Sequence, residues 1–218
     1  MIRALLFDFD GTLVDTESID LRVWHEVFEA HGVSVPVDRF ALRIGTLTGP
    51  DELDELDALL DAPCERDVVT ATRRRREREL LELEPLRPGI REYLDRAGEL
   101  GLGVAIVSSS SRGWIDGNLQ RLELLDGWAA VVSADGDTGR CKPSPALYLE
   151  ALEALGVDAA EAIAIEDSPN GVAAARAAGI FCVAFPNDVT GALDFSQADL
   201  VLESLEDVPL DDLLARVG

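Results

Sequence analysis

The chain has 218 residues, of which 47% are hydrophobic, so it can fill one large core, or a core with a modest second domain. Its 42 acidic residues against 19 basic ones give a formal net charge of -23, which disfavours a nucleic-acid backbone or an anionic membrane as a partner. Three widely spaced cysteines with no C-x-x-C pair exclude a disulfide framework and a zinc signature.

The N-terminal segment and the hydropathy of the chain predict the cellular location of the protein. The chain starts with a short hydrophobic strand followed by acidic residues, a pattern that differs from a signal peptide. No apolar stretch of the sequence approaches the roughly 20 residues that a membrane span needs. We therefore expect a cytoplasmic protein with reduced cysteines, and a monomer as the simplest state.

Six short apolar runs predict buried strands along the chain. Helical patterns over 90–100, 145–155 and 170–178 alternate with these runs, and a glycine follows each helix. Continuous rather than alternating hydrophobicity is typical of strands covered on both faces of a parallel sheet. The sequence therefore predicts an α/β fold with a doubly wound (Rossmann-like) parallel sheet. The predicted strands are 3–8, 103–108, 129–133, 162–166, 180–184 and 198–202.

One long interval between the first two strands is helical in pattern and contains no strong strand signal. We predict a helical cap domain at 16–85, inserted after the first strand and lying over the carboxyl end of the sheet. The α/β catalytic core is then formed by 1–15 and 86–218. The predicted cap helices are 19–31, 50–61 and 65–84.

Polar residues follow four of the predicted strands, at the edge where open α/β sheets bind ligands. At the end of the first strand and just beyond it are Asp8 and Asp10, and at the end of the second is Ser108. Lys142 is in the loop after the third strand, and Glu166 and Asp167 are at the end of the fourth. Because the carboxyl ends of parallel strands meet at one edge of a sheet, we expect these carboxylates, the hydroxyl and the ammonium to converge on one point.

Converging carboxylates repel one another, and a hard divalent cation with oxygen ligands relieves that repulsion. Mg²⁺ suits a site that also binds phosphate, and its protein ligands can be Asp8, Asp167 and the backbone carbonyl of Asp10. Asp8 can then attack phosphorus as a nucleophile, while Asp10 exchanges protons with the leaving group and with water. Ser108 can hydrogen-bond phosphate oxygens, and Lys142 can neutralise the transferring group.

Taken together, these motifs resemble those of the haloacid dehalogenase superfamily. They are D-F-D-G-T-L-V-D-T at 8–16, the serines from 108, K-P-S-P from 142 and E-D-S-P-N-G from 166. Their order is similar to the branch with a helical cap, which includes phosphoglycolate phosphatase-like and β-phosphoglucomutase-like proteins, and the resemblance covers essentially the whole chain. It implies an aspartyl-phosphate on Asp8 with Asp10 as the acid/base. It also implies Glu166 as a further acidic contributor to the metal site.

Two departures from the mutase pattern favour a phosphatase. β-Phosphoglucomutases have a cap histidine where this chain has Asp20, and a phosphate-gripping cap arginine where it has Thr48. The resemblance therefore implies a Mg²⁺-dependent phosphatase acting on a small phosphorylated metabolite, such as a sugar phosphate or phosphoglycolate. A sugar phosphomutase is the alternative enzyme. A receiver-type signalling module would share an Asp, a Ser/Thr and a Lys, but it lacks a cap insertion.

Further substrate contacts are expected beside the main motifs. Ser109 and Arg112 belong to the segment that begins with the serine run, and Gly45 and Thr46 lie in a cap loop. We interpret Trp114, like the other two tryptophans, as a packing residue.

Overall fold

The structure, a computed structural model, describes residues 1–34 and 51–217. Its centre is a sheet of six parallel strands in the order β3-β2-β1-β4-β5-β6. The predicted doubly wound α/β fold is confirmed, and each predicted strand is present within two residues of its expected bounds. The strands are β1 Ala4–Phe7, β2 Gly103–Ser108, β3 Ala130–Ser133, β4 Ala162–Glu166, β5 Phe181–Ala184 and β6 Leu200–Val201.

The described helices agree with the predicted ones within a few residues. The largest differences are of three residues: the third helix ends three residues early, and the first begins three residues early because the Asp15 side chain caps it by accepting from the Ser18 N–H at 3.1 Å. None of the helices described has the length and apolarity of a bilayer crossing. In chain order they are α1 Thr16–Ala30, α2 Glu52–Leu59, α3 Arg66–Leu81, α4 Ile90–Leu100, α5 Arg112–Arg121, α6 Ala146–Leu155, α7 Pro169–Ala177 and α8 Leu210–Val217.

The two faces of the sheet are covered by side chains of different size. On one face, large strand residues such as Phe7 and Ile106 pack against α4, α5 and α8. On the other face, small residues such as Ala105 and Ala164 pack against α6 and α7. Because β1 has neighbours on both sides and is fully buried, its carboxyl end opens at the centre of the sheet edge.

Four described helices lie between β1 and β2, and the first three of them, α1 to α3, fall within the stretch that the sequence predicts as the cap. These three share a hydrophobic cluster that includes Trp24, Phe28 and Leu56 and is separate from the two sheet clusters. Arg76 of α3 also forms an ion pair with Glu26 of α1 at 2.8 Å. The helical insertion is therefore present in the described residues, while the boundaries of a cap domain at 16 and 85 stay a prediction.

Gly171, in the first turn of α7, lies directly against the carboxylate of Glu166. A Cβ at residue 171 would stand 1.8 Å from Oε2 of Glu166, so one of the two residues would have to move. We expect Gly171→Ala to lower the free energy of unfolding by about 1–3 kcal/mol, the usual range for overpacking. Urea denaturation followed by circular dichroism measures this change.

Gly117 provides the matched control for that substitution. It lies inside α5, and nothing stands within 4 Å of its missing Cβ. Gly117→Ala should therefore raise the free energy of unfolding by about 0.5–1 kcal/mol, because alanine loses less backbone entropy in a helix. Changes of the same sign in the two variants would contradict this account of Gly171.

Candidate active site

Asp8 stands immediately after β1, at the centre of the carboxyl edge of the sheet. Its backbone N–H donates to the carbonyl of Ile165 on β4 at 3.0 Å, which continues the strand pairing and fixes the residue. The residue is only 5% exposed. The position predicted from sequence is therefore the observed one, and the carboxylate points into a site with little access to water.

Lys142 contacts two carboxylates from neighbouring strands. Its Nζ lies against Oδ1 of Asp8 and is 2.6 Å from Oε1 of Glu166. The residue is 1% exposed, and its backbone N–H donates to the Ser109 Oγ at 3.1 Å. Ser109, expected to bind substrate, thus holds the loop that carries Lys142. Its predicted role as a substrate contact stays a prediction.

Glu166 is held by two donors on one of its oxygens. Besides Lys142, the hydroxyl of Tyr148 on α6 donates to Oε1 at 2.5 Å. The other oxygen, Oε2, is buried and has no hydrogen-bond partner among the described residues. The Lys142 ammonium also stands 5.4 Å from the centre of the Tyr148 ring, close enough for a cation–π attraction.

Asp167 is fully buried and fixed by a residue that the sequence did not single out. The amide Nδ2 of Asn187 donates to Oδ2 of Asp167 at 2.8 Å. The orientation of this amide is set by its own oxygen, which accepts from the backbone N–H groups of Val189 and Thr190 and from the Thr190 hydroxyl. Oδ1 of Asp167, in contrast, is buried without a partner in the described part of the chain.

These carboxylates fit a hard divalent cation. One oxygen each from Asp8, Glu166 and Asp167 can be chosen so that all three lie within 4.8 Å of one another. Two buried oxygens of the set have no partner in the part of the chain that the structure describes, and an unpartnered buried carboxylate oxygen is costly unless a cation reaches it. The donor chemistry is that of Mg²⁺, so the residues present fit the predicted cofactor.

The charges of the cluster shift several pKa values. Burial raises the pKa of Asp8 to about 7, although the nearby Lys142 opposes the shift. Burial, with the charge of Asp8 in addition, raises the pKa of Asp167 well above its ordinary value. Burial alone would lower the pKa of Lys142, but the charges of Asp8 and Glu166 outweigh it and the pKa is raised. The ammonium therefore stays charged, and additional positive charge would favour the ionised forms of Asp8 and Asp167.

The carboxylate of Asp10, which is partly exposed, accepts four hydrogen bonds. Oδ1 accepts from the Thr16 hydroxyl at 3.1 Å and from the Trp114 indole N–H at 2.7 Å. Oδ2 accepts from the Ser110 hydroxyl at 2.6 Å and from the Ser108 hydroxyl at 3.4 Å. Asp10 and Ser108 are thus together, as predicted, whereas the contacts of Thr16, Ser110 and Trp114 were not anticipated.

The turn after Asp10 depends on Gly11. Its φ is +78°, and a Cβ would stand 2.1 Å from Oδ2 of Asp167, so the turn leaves no room for a side chain. The carbonyl of Gly11 accepts from the Arg87 guanidinium at 2.6 Å. Arg87 follows the helical insertion and also donates to two carbonyls just after β5, so it joins three segments around the site.

An acidic surface of α1 and α3 lies near Asp10. Burial and the charges of Asp10 and Asp20 raise the pKa of Glu17 well above its ordinary value. Glu77 shows the same direction of pKa shift, chiefly through burial. Arg73 pairs with Asp20 at 2.5 Å and with Glu77 at 3.2 Å. Glu17 was missed from sequence, and its only signal there is its place one residue after the first motif.

Arg112, an expected substrate contact, pairs with a residue of its own helix. The Arg112 guanidinium is about half exposed and pairs with Asp116 on its own helix at 2.8 Å, so its substrate role stays a prediction. Gly45 and Thr46, with Thr48, lie outside the described residues. The three cysteines are unpaired, as expected.

Comparison with known proteins gives a consistent result. A model of the haloacid dehalogenase-like hydrolase family matches residues 2–179. The chain is 41% identical to YhcW of Bacillus subtilis (strain 168), covering 100% of this chain and 99% of that protein. It is 32% identical to hexitol phosphatase B of Escherichia coli (strain K12), covering 98% of this chain and 97% of that protein. A crystal structure of a CbbY variant from Rhodobacter sphaeroides with xylulose-(1,5)bisphosphate is similar at a TM-score of 0.78 and 28% identity, covering 98% and 99%.

Asn187 generates a test of the predicted metal site. Because its amide holds one oxygen of Asp167 and leaves the other for a cation, we expect Asn187→Ala to weaken Mg²⁺ binding by about 10- to 100-fold. Calorimetric titration of the substrate-free protein with Mg²⁺ measures this, independently of activity. Gln120→Ala, which removes an exposed amide from α5, should bind Mg²⁺ as the wild type does. Unchanged Mg²⁺ affinity in Asn187→Ala would exclude the positioning role.

Proposed function

The chain belongs to the haloacid dehalogenase-like hydrolases, with hexitol phosphatase B among its relatives, and we propose that it is a Mg²⁺-dependent phosphatase of small sugar-type phosphates. The proposal rests chiefly on the buried contact of the Lys142 ammonium with Asp8 and Glu166. A lysine at this position favours the ionised form of a carboxylate nucleophile. Its charge also lies where negative charge develops during phosphoryl transfer.

The metal-binding residues follow from the carboxylate cluster. Asp8, Glu166, Asp167 and the backbone carbonyl of Asp10 would hold Mg²⁺, since two oxygens of the cluster are buried without partners in the described residues. When bound, the ion supplies positive charge that relieves the repulsion among the carboxylates and lets an anionic phosphate approach Asp8.

Two displacements at phosphorus would complete the reaction. An oxygen of Asp8 attacks the phosphorus, and the bond from phosphorus to the substrate's alkoxide oxygen breaks. Asp10 in its acid form protonates that oxygen, so the product leaves as a neutral alcohol. Asp10 then takes a proton from a water molecule that attacks the aspartyl-phosphate at phosphorus. The bond from phosphorus to Asp8 breaks, which releases inorganic phosphate and restores both carboxyl groups.

Ser108 and Lys142 would bind the phosphoryl oxygens during both displacements. The Ser108 hydroxyl lies at the end of β2 beside Asp10, and the Lys142 ammonium touches the proposed nucleophile. A hydroxyl and an ammonium both donate to phosphate oxygens. Because water is excluded, the electrostatic attraction between the buried ammonium and a phosphate is stronger than it would be in water.

The acidic surface of α1 and α3 supports a polyol as the organic part of the substrate. Glu17, Asp20 and Glu77 have carboxyl groups, which form hydrogen bonds with sugar hydroxyls in either protonation state. Asp20 is paired with Arg73 at the position where a phosphomutase would have a histidine, which favours hydrolysis over phosphoryl return to the sugar. We therefore infer a sugar or hexitol monophosphate as the substrate.

Release of inorganic phosphate from a panel of esters tests the proposal. The panel contains hexitol phosphates, hexose phosphates, phosphoglycolate and an aryl phosphate, each with Mg²⁺ and with a chelator. We expect turnover with Mg²⁺ and its loss with the chelator, highest for a polyol phosphate. Asp8→Asn should lower turnover by more than about 1,000-fold because it removes the nucleophile.

Asp126→Asn is the matched control, because Asp126 is an exposed aspartate in a surface loop. It should keep wild-type turnover, and circular dichroism should show both variants folded. Conversion of hexose 1-phosphate to the 6-phosphate without phosphate release would establish the mutase instead. Substantial turnover in Asp8→Asn would remove Asp8 from the mechanism.

A further inference from the structure

Trp114 joins the core of the protein to the proposed acid/base. Its indole N–H donates to Oδ1 of Asp10 at 2.7 Å, while its ring packs partly buried against the main hydrophobic cluster. The backbone of Trp114 is fixed as well, because Ser111 caps α5. The Ser111 hydroxyl accepts from the backbone N–H of Trp114 at 3.3 Å. The packing role expected from sequence therefore describes only part of what this side chain does.

The hydrogen bonds of Asp10 divide into two kinds. Thr16, Ser108 and Ser110 contribute hydroxyl groups, which can either donate or accept after a rotation about the C–O bond. The indole N–H of Trp114 can only donate, so the oxygen that it contacts must remain an acceptor. Oδ1 therefore has one partner, Trp114, that can only donate to it, whereas both partners of Oδ2, Ser108 and Ser110, are hydroxyl groups that can change role.

We propose that Trp114 is a positioning residue for Asp10, holding Oδ1 so that Oδ2 is the oxygen that exchanges a proton with the substrate. The inference rests on the proposed role of Asp10 as the acid/base of a phosphatase. Side chains that transfer protons must be held close to the productive geometry, and small displacements reduce the rate strongly. The indole ring suits this purpose, because the core fixes its plane.

The dependence of the rate on the leaving group separates this role from a purely structural one. Trp114→Phe keeps most of the ring packing and removes the N–H. With a hexitol or other alkyl phosphate, whose leaving oxygen needs a proton, we expect kcat/KM to fall about 10- to 100-fold. With a nitrophenyl phosphate, whose leaving group departs as a stable anion, kcat/KM should fall by less than about threefold.

Trp128 offers a matched control in the same protein. Its indole N–H donates to the Leu124 carbonyl at 2.8 Å, and its ring packs against the same cluster. Trp128→Phe therefore removes an equivalent hydrogen bond away from Asp10 and should leave the leaving-group dependence unchanged. Equal losses with alkyl and aryl phosphates in Trp114→Phe, or no loss with either, would overturn the proposal.

Two further measurements tie the effect to Asp10. Adding Trp114→Phe to Asp10→Ala should cause no further loss of kcat/KM with an alkyl phosphate, and an additive loss would overturn the proposal. The second measurement compares the nitrogen–proton NMR spectra of the wild type and of the Asp10→Ala single variant, in which both tryptophans are present. Asp10→Ala should shift the indole resonance of Trp114 and leave that of Trp128 in place. This spectrum decides the contact even if Trp114→Phe does not fold, and an unmoved Trp114 resonance contradicts it.

The same experiments distinguish failure of the inference from failure of the proposed function. If the wild-type protein releases no phosphate from any ester, the proposed function is wrong and the inference falls with it. If the wild type is active and Asp10→Ala loses activity selectively with alkyl phosphates, but Trp114→Phe does not, the phosphatase stands and only the role of Trp114 is refuted.

Discussion

Four charged side chains with almost no access to water dominate this structure: Asp8, Lys142, Glu166 and Asp167. The cluster has three carboxyl groups and one ammonium, so it carries an excess of buried negative charge when all three are ionised, which is strongly unfavourable unless a cation compensates it. The pKa of Asp8 is raised to about 7 even with Lys142 against it, because burial is the largest influence on the carboxyl group. The excess of negative charge that destabilises the fold therefore favours binding of a divalent cation. The bound cation, together with Lys142, would then attract an anionic substrate.

The surrounding structure can be understood as the support of this cluster. The parallel sheet brings strand ends together, so that residues more than 100 positions apart in the chain meet at Asp8. The residues next to the cluster are either glycines or side chains that hydrogen-bond to its carboxylates. Gly11 and Gly171 leave the space that two carboxylates occupy, and Tyr148 and Asn187 each hold one oxygen of a carboxylate. One oxygen each of Glu166 and Asp167 is left without a partner among the described residues, and both residues belong to the carboxylate cluster of the proposed metal site.

The sequence predicted the strands and the main site because both depend on local pattern. Continuous apolar runs end where polar residues begin, and the edge shared by parallel strands places Asp8, Lys142 and Asp167 together. The supporting residues could not be predicted in this way. Asn187 lies in a loop and Trp114 in the first turn of a helix, and neither local sequence indicates a functional role. The contact of Asn187 with Asp167 and that of Trp114 with Asp10 arise only from tertiary packing. Arg112 shows the converse, since it follows the serine run in the chain but lies on α5 and pairs with Asp116.

The stereochemical course at phosphorus tests the proposed aspartyl-phosphate most directly. The substrate would be a phosphorothioate monoester made chiral with oxygen isotopes, hydrolysed in water labelled with a third isotope. Each in-line displacement inverts the configuration, so attack by Asp8 followed by attack of water predicts net retention. Net inversion would mean that water attacks the substrate in a single step, and it would contradict the central role given to Asp8.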